Sequence, residues 1–211
     1  MNAPIRDWVF DLDNTLYPAE ATLYAAIGER MTDYIERALA CGRDEAHEIR
    51  ERYFHMYGAT VLGLAKHHAI DAADFLDDVH KVDMSAIGPD PDLAAMIAAL
   101  PGRKFIFTNG AESYGRRVAE RLGLKALFAD IVGIDPHALK PKPERAAFER
   151  LIKRCRIAPR DALVFDDHER NLETARQLGF RTVLIGTAER SAHADWSAPD
   201  LKNALRAFAP L

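Results

Sequence analysis

The chain has 211 residues, of which 48% are hydrophobic and 28% are charged, a balance that excludes wholesale disorder. Its 28 basic and 32 acidic residues give a net charge of -4, so it lacks the basic field that nucleic acid requires. No apolar run approaches the roughly 18 residues of a membrane span, and residues 1–8 lack the layout of a signal peptide. Two cysteines cannot form a disulfide framework or a zinc site. We therefore expect a cytoplasmic enzyme with neither a nucleic-acid nor a membrane partner.

Five short apolar runs alternate with helical stretches along most of the chain. The runs are residues 8–10, 104–107, 131–134, 162–165 and 182–185. They are rich in Val, Ile and Phe, as expected of strands buried on both faces. Strands that alternate with helices predict a parallel sheet in a Rossmann-like three-layer α/β sandwich. In such folds the ligand lies at the carboxyl ends of the strands.

Helical periodicity accounts for most of the segments that follow the second strand. The predicted helices are residues 112–122, 144–154, 169–178 and 199–208. Gly123 and Gly179 follow two of these helices and are expected to cap them in the left-handed conformation. Residues 188–198 show no periodicity, so a loop is predicted there.

The gap between the first two strands is too long for a simple crossover. About 90 residues separate Asp13 from Lys104, whereas a whole strand–helix–strand unit needs roughly 30. The surplus has helical spacing, and the predicted helices are 24–38, 44–57, 61–67 and 72–80, with stops at Gly42 and Gly58. Asp90 and Pro91 then predict the start of a helix that returns to the core. We predict a core domain of residues 1–16 and 89–211, interrupted by a helical insertion of residues 17–88.

Two acids with one residue between them follow the first strand. Asp11 and Asp13 would point to the same side of an extended chain, where one can act as a nucleophile and the other as a general acid and base. The alternative is a polar turn, because Asp and Asn favour turns. An EF-hand is excluded, since its sixth loop position is Leu16 rather than glycine and its twelfth is Thr22 rather than glutamate.

Groups that suit an anion follow the second and third strands. Thr108 and Asn109 offer a hydroxyl, an amide and backbone N–H groups just before a helix, which is a natural phosphate cradle. Lys142, or Lys140 as the alternative, could neutralise a substrate phosphate. Taken singly, either lysine would be interpreted as part of a solvated loop.

A second acidic pair, Asp166 and Asp167, follows the fourth strand. Together with Asp11 and Asp13 it would bring four acids into one cleft, where they would repel one another unless a cation lay among them. Hard oxygen ligands without a cluster of Cys or His favour Mg²⁺.

This ordered set of residues resembles the haloacid dehalogenase-like (HAD) superfamily of phosphotransferases. The resemblance extends from the first strand to the fifth and covers all four motifs of the superfamily. Lys142 fits the third motif better than Lys140, because the motif lysine is commonly followed by proline and, six residues on, by phenylalanine. The residues that match the motifs are Asp11, Asp13 and Thr15; Thr108; Lys142 with Pro143 and Phe148; and Asp166 with Asp167.

The resemblance implies a Mg²⁺-dependent phosphoryl-transfer mechanism. Asp11 would attack phosphorus and form an aspartyl-phosphate, and Asp13 would protonate the leaving alcohol and then activate water. The insertion of residues 17–88 is similar to the superfamily's cap domain of the first type. Dehalogenase activity is disfavoured, because those relatives lack the second aspartate and the metal. The other implied contacts are Thr108 and Lys142 to the phosphoryl oxygens, and Asp11, the Asp13 carbonyl and Asp167 to Mg²⁺, with Asp166 beside it.

The residues of the first motif point to one branch of the superfamily. Many members have glycine where Asn14 stands. The run from Asn14 to Pro18, and Asn171 after the second acidic pair, resemble the pyrimidine 5'-nucleotidase branch. That branch often has serine where this chain has His168, which either contacts substrate or caps the next helix. The implied substrate is a nucleoside 5'-monophosphate, with pyrimidines preferred. The alternatives are a phosphatase for sugar phosphates or other small metabolites, a phosphomutase, and an idle binding protein on the same fold.

Three aromatic residues of the insertion have two interpretations. Tyr53, Phe54 and Tyr57 either pack within the cap, the simpler interpretation, or stack on a nucleobase. A small phosphorylated metabolite is the expected partner, and the sequence leaves a monomer and a homodimer both open. No tight metal-ligand spacing links the histidines, which are expected at the surface or between helices: His47, His55, His67, His68 and His80.

Overall fold

A single parallel sheet forms the centre of the protein. The computed structural model describes residues 4–18 and 22–208, so small parts of the predicted core and insertion (residues 1–3, 19–21 and 209–211) lie outside the described residues. All strand pairs are parallel, in the order β3-β2-β1-β4-β5-β6. The strands in these described ranges are β1 (Asp7–Phe10), β2 (Arg103–Phe107), β3 (Asp130–Val132), β4 (Ala162–Asp166), β5 (Arg181–Ile185) and β6 (Trp196–Ala198).

Helices fill the connections between these strands. Four of the five helices between β1 and β2 lie within the predicted insertion: α1 (Leu23–Leu39), α2 (Arg43–Tyr57), α3 (Thr60–His68) and α4 (Ala72–Val79). The others are α5 (Pro91–Ala99), α6 (Glu112–Arg121), α7 (Arg145–Cys155), α8 (Glu169–Gln177) and α9 (Leu201–Arg206). In the part of the chain that the structure describes, no helix combines the length and the apolarity needed to cross a membrane.

Two apolar clusters, one on each face of the sheet, build the three layers. Successive side chains of a strand point to opposite faces. Accordingly, Phe10 and Ile106 belong to one cluster, and their neighbours Val9 and Phe105 belong to the other. The Rossmann-like α/β fold predicted from the alternation of strands and helices is therefore confirmed.

The four helices of the insertion supply most of a third apolar cluster, which also contains Ile134 from the core. Ile35 and Phe75 are fully buried in it, between α1 and α4. The chain then enters α5 through Asp90, whose side chain accepts a hydrogen bond from the backbone N–H of Leu93 at 3.0 Å, as the predicted cap requires. The division into a core domain and a cap domain is compatible with this packing and stays a prediction.

Two local expectations were wrong. β6 lies in the segment predicted to be a loop, because it is a three-residue strand made by pairing with β5 and carries no periodicity of its own. α1 ends at Leu39 and is followed by Ala40 in the left-handed conformation, with φ 51, so the predicted stop at Gly42 is wrong. Gly42 instead precedes α2 with an extended backbone. The stops at Gly58, Gly123 and Gly179 are confirmed, since all three have positive φ.

Candidate active site

The strand order brings the predicted polar residues to one edge of the sheet. β1 lies between β2 and β4, so the residues that follow these three strands are neighbours. A cavity of about 250 Å³ opens there, and its lining includes both acids of the first motif. The predicted residues in its lining are Asp11, Asp13, Thr108, Asn109, Lys142 and Asp167. Asp166 is buried beneath them and is absent from the lining.

A buried lysine joins the two acidic pairs. Lys142 Nζ lies 2.6 Å from Asp11 Oδ1 and 2.7 Å from Asp166 Oδ2. Burial alone would lower the pKa of Lys142, but the two carboxylates outweigh it and hold the pKa above its ordinary value, so the lysine stays charged. Lys140, the alternative in the sequence, is exposed and lies 3.5 Å from Glu144.

Asp166 uses both of its oxygens within the protein. Oδ2 accepts from Lys142, and Oδ1 accepts from the His168 backbone N–H at 2.9 Å and from Asn171 Nδ2 at 2.8 Å. Asp166 therefore holds Lys142 in place. Asn171 lies in the first turn of α8, and its amide holds the Asp166 carboxylate in place. From the sequence, Asn171 is notable only for its resemblance to the pyrimidine 5'-nucleotidase branch.

The acids at this edge form a set of hard oxygen donors. One carboxylate oxygen from each of Asp11, Asp166 and Asp167 lies within 4.8 Å of the others. Burial raises the pKa of Asp11 well above its ordinary value, although Lys142 opposes the shift, and burial together with the charge of Asp166 raises the pKa of Asp167. A further cation would favour ionisation of both. The donor set thus fits Mg²⁺, and the commitments of Asp166 leave Asp11 and Asp167 as the freer carboxylates.

Asp13 has a different environment from Asp11. Its Oδ1 accepts hydrogen bonds from Tyr17 Oη and, at 2.7 Å, from Tyr114 Oη. Burial raises the pKa of Asp13, and these two bonds oppose the rise. Burial and the charge of Asp13 also raise the pKa of both tyrosines. Tyr114 carried no signal in the sequence, because 101 positions separate it from Asp13.

The two residues after β2 are placed differently from each other. Thr108 is buried at the cavity, and its Oγ1 accepts from the Gly110 N–H at 2.9 Å. The Asn109 amide spans the Lys142 backbone, accepting from its N–H at 2.7 Å and donating to its carbonyl at 2.9 Å. It also donates to the carbonyl of Gly58, at the end of α2, at 3.2 Å. The predicted phosphate contact of Asn109 is thus left to its backbone N–H.

The turn after β1 explains the unusual residue in the first motif. Asn14 has φ 59, in the left-handed region that glycine and asparagine tolerate best. Its Nδ2 donates to Asp167 Oδ2 at 3.3 Å. Asparagine therefore meets the backbone requirement of this turn and adds a contact to the second acidic pair that glycine lacks.

A second cavity of about 400 Å³ adjoins the first and extends among the helices of the insertion. Asp13, Phe54 and His168 line both cavities. His168 is the residue before α8, but its side chain makes no capping hydrogen bond, and its ring lies 5.7 Å from that of Phe54. The second cavity is thus a continuation of the first, away from Lys142.

The other aromatic residues of α2 make contacts within the insertion. Tyr53 Oη lies 2.7 Å from His68 Nε2, and Tyr57 Oη lies 2.7 Å from His67 Nε2. Tyr53 and Tyr57 therefore pack within the insertion, the simpler of the two interpretations, whereas Phe54 lines both cavities. Among the histidines of the insertion, His80 is buried and stacks on Tyr114 with ring centroids 4.4 Å apart.

Comparison with known proteins gives one family and one fold. The family model for haloacid dehalogenase-like hydrolases matches residues 8–179. Among curated proteins, the chain is similar to phosphate metabolism protein 8 of Saccharomyces cerevisiae, with 27% identity over 194 residues. That match takes in 83% of this chain but only 60% of the relative, so the chain spans less than two thirds of the yeast protein's length.

Solved structures share the fold at lower identity. A HAD phosphatase from Thermococcus onnurineus is 19% identical, with a TM-score of 0.63 over 97% of this chain and 98% of that one. L-2-haloacid dehalogenase from Xanthobacter autotrophicus is 18% identical, with a TM-score of 0.60 and the same coverage. Because phosphatases and dehalogenases both share this architecture, the fold does not choose between the two reactions.

Proposed function

Because the chain belongs to the haloacid dehalogenase-like hydrolase family, we propose that it hydrolyses phosphate monoesters through an aspartyl-phosphate on Asp11, with Mg²⁺ as cofactor. The observation that carries the proposal is Lys142, held between Asp11 and Asp166 at the edge of the cavity. A fixed ammonium group beside a carboxylate suits phosphoryl transfer, in which positioning and charge neutralisation supply most of the catalysis.

The two first-motif acids support complementary roles. Asp11 would attack phosphorus, forming the oxygen–phosphorus bond as the bond to the leaving alcohol breaks, and Asp13 would give that alcohol its proton. A water would then attack the phosphorus of the aspartyl-phosphate while Asp13 takes up a proton, which releases phosphate and restores Asp11. A halide leaves without a proton, so an acid beside Asp11 favours hydrolysis of a phosphate ester over dehalogenation.

The remaining residues would hold the phosphoryl group and the metal. Lys142, Thr108 and the backbone N–H of Asn109 would bind phosphoryl oxygens. Asp11, the Asp13 carbonyl and Asp167 would hold Mg²⁺, with Asp166 beside it, and the ion would supply positive charge for the phosphoryl oxygens.

For the substrate, we propose a nucleoside 5'-monophosphate, with a pyrimidine base preferred. The second cavity supports a leaving group larger than water or a short alcohol, since about 400 Å³ is within the usual range of small-molecule sites. Tyr24 and Phe54 line it and offer aromatic surfaces for a base, and Arg50 and Glu51 offer polar groups. The proposed preference for pyrimidines rests on the residues from Asn14 to Pro18, which resemble those of the pyrimidine 5'-nucleotidase branch.

The test is phosphate release by the purified protein, with and without Mg²⁺. UMP, CMP, AMP, GMP, several sugar phosphates and a nitrophenyl phosphate are compared by kcat/KM. We expect Mg²⁺-dependent release, abolished in Asp11→Asn because an amide cannot form the phospho-enzyme. Near wild-type turnover by an Asp11→Asn preparation free of host phosphatase would refute the mechanism. A sugar phosphate that exceeds every nucleotide about tenfold would refute the nucleotide assignment and leave the mechanism intact, and isomerisation without phosphate release would indicate a phosphomutase.

A further inference from the structure

Two buried tyrosines contact the same oxygen of Asp13. Tyr17 comes from the segment after β1, and Tyr114 from the first turns of α6. Both side chains are buried, and their hydroxyl oxygens lie 3.2 Å apart. Each donates to Asp13 Oδ1. The three groups form a closed triangle in which one carboxylate oxygen receives two hydroxyl protons.

The donor count fixes what each oxygen of Asp13 can do. A phenol has one proton, so a tyrosine that donates to Asp13 has none left for the other tyrosine. With both protons directed at Oδ1, that oxygen is occupied, and protonating it would displace a tyrosine. Among the described residues, the two tyrosine hydrogen bonds to Asp13 are both to Oδ1. The Thr108 hydroxyl lies near enough to lower the pKa of Asp13 as well, and Asp13 lines both cavities. We propose that Tyr17 and Tyr114 are positioning residues that commit Asp13 Oδ2 to proton transfer with the leaving group and the hydrolytic water.

The rings are held by rigid surroundings. His80 stacks on the ring of Tyr114, tilted by only 22°, and its own ring is fixed by a 2.6 Å contact from Nδ1 to the Leu76 carbonyl at the end of α4. Gly110 leaves room for the ring, since a Cβ there would lie 2.9 Å from Tyr114 Cδ1. Tyr114 therefore has little freedom to turn its hydroxyl away from Asp13. The insertion contributes to this restraint through His80.

The inference rests on the proposed function, and leaving-group dependence distinguishes the two. A nitrophenolate departs without a proton, whereas an alkoxide needs one from Asp13. The value of kcat/KM reports only the steps up to formation of the phospho-enzyme, so it isolates the proton given to the leaving group. General acid catalysis contributes about 10²–10⁴-fold, and misdirecting the acid forfeits part of that. A residue with a purely structural role would affect both esters alike.

The experiment measures kcat/KM of Tyr17→Phe and Tyr114→Phe on nitrophenyl phosphate and on the best alkyl phosphate of the panel. We expect the ratio of alkyl to aryl kcat/KM to fall about tenfold or more in each variant, in the same direction as in Asp13→Asn. The ratio does not depend on the fraction of folded enzyme, so a poorly folding variant still gives a result. Tyr34→Phe is the matched control, because it removes a hydroxyl that donates to Asp74 within the insertion, away from the cavities.

The outcomes separate cleanly. If wild type hydrolyses both esters and the ratio is unchanged in both tyrosine variants, the positioning role is overturned while the proposed function stands. If wild type releases phosphate from neither ester, the proposed function itself fails. A ratio that falls equally in Tyr34→Phe would also overturn the inference, because that hydroxyl has no contact with Asp13.

Discussion

Replacing Lys142 by methionine removes the positive charge that joins Asp11 to Asp166 and keeps a side chain of similar length. In the wild type, Nζ lies within 2.7 Å of an oxygen from each carboxylate, and all three groups are buried. Removing one partner from such a pair leaves uncompensated buried charge and typically costs about 3–5 kcal/mol. We therefore expect the free energy of unfolding to fall by about that amount. The same change removes a charged phosphoryl contact, for which a comparable loss costs about 10²–10³ in rate.

The assay combines urea unfolding with kcat/KM for nitrophenyl phosphate at saturating Mg²⁺. Lys140→Met is the matched control, because Lys140 is exposed and its ion pair with Glu144 is worth about 1 kcal/mol at most. A Lys142→Met protein as stable as wild type would refute the reasoning about buried charge. A larger loss of kcat/KM in Lys140→Met than in Lys142→Met would show that the wrong lysine had been assigned to the phosphoryl group.

Two further predictions concern the contacts between the insertion and the core. Gly58→Ala should lower both stability and kcat/KM, because Gly58 has φ +77 and a Cβ would lie 2.5 Å from the Lys142 carbonyl oxygen. The backbone strain alone costs about 1–2 kcal/mol. A Gly58→Ala protein with the stability and kcat/KM of wild type would contradict this prediction. Gly88→Ala, with open space around it, is the control for thermal unfolding and kinetics. Burial lowers the pKa of His80 from 6.5 to about 4, despite its bond to the Leu76 carbonyl, with Arg117 lowering it further and Asp77 raising it. The unfolded chain therefore takes up a proton that the folded protein does not, and stability should fall by about 3 kcal/mol as pH drops from 6.5 to 4. Urea unfolding at several pH values in that range should show this additional loss of stability in wild type but not in His80→Gln. If the stability of both proteins fell in parallel with pH, the role of His80 would be contradicted.

Local signals explain which parts of the structure the sequence predicts well. The apolar runs, the glycine stops and the Asp90 cap depend on neighbouring residues, so composition and spacing reveal them. β6 depends on its pairing with β5 and was missed, and Ala40 was missed as the residue that ends α1. Positive φ at Ala40 has no signal, because alanine rarely adopts it.

The site shows the same division between local and long-range information. The polar residues that end successive strands could be collected from the sequence, because parallel strands bring their carboxyl ends to one edge. Their partners could not. The Tyr114–Asp13 bond spans 101 positions, and the bonds of the Asn109 amide to Gly58 and Lys142 span 51 and 33. No periodicity relates such residues, so only the folded chain shows that the amide joins the insertion to the lysine loop.

Charge balance in the site connects these contacts to the proposed need for Mg²⁺. Four carboxyl groups, those of Asp11, Asp13, Asp166 and Asp167, lie at this edge of the sheet. Among the described residues, Lys142 supplies the buried ammonium group there, and it already contacts two of the four. A phosphate monoester adds about two negative charges to that cavity. Lys142 alone therefore leaves the substrate in a repulsive field, whatever the fit of its leaving group. A divalent cation among the carboxylates would offset that repulsion, so the proposed Mg²⁺ would serve substrate binding as well as the chemical step.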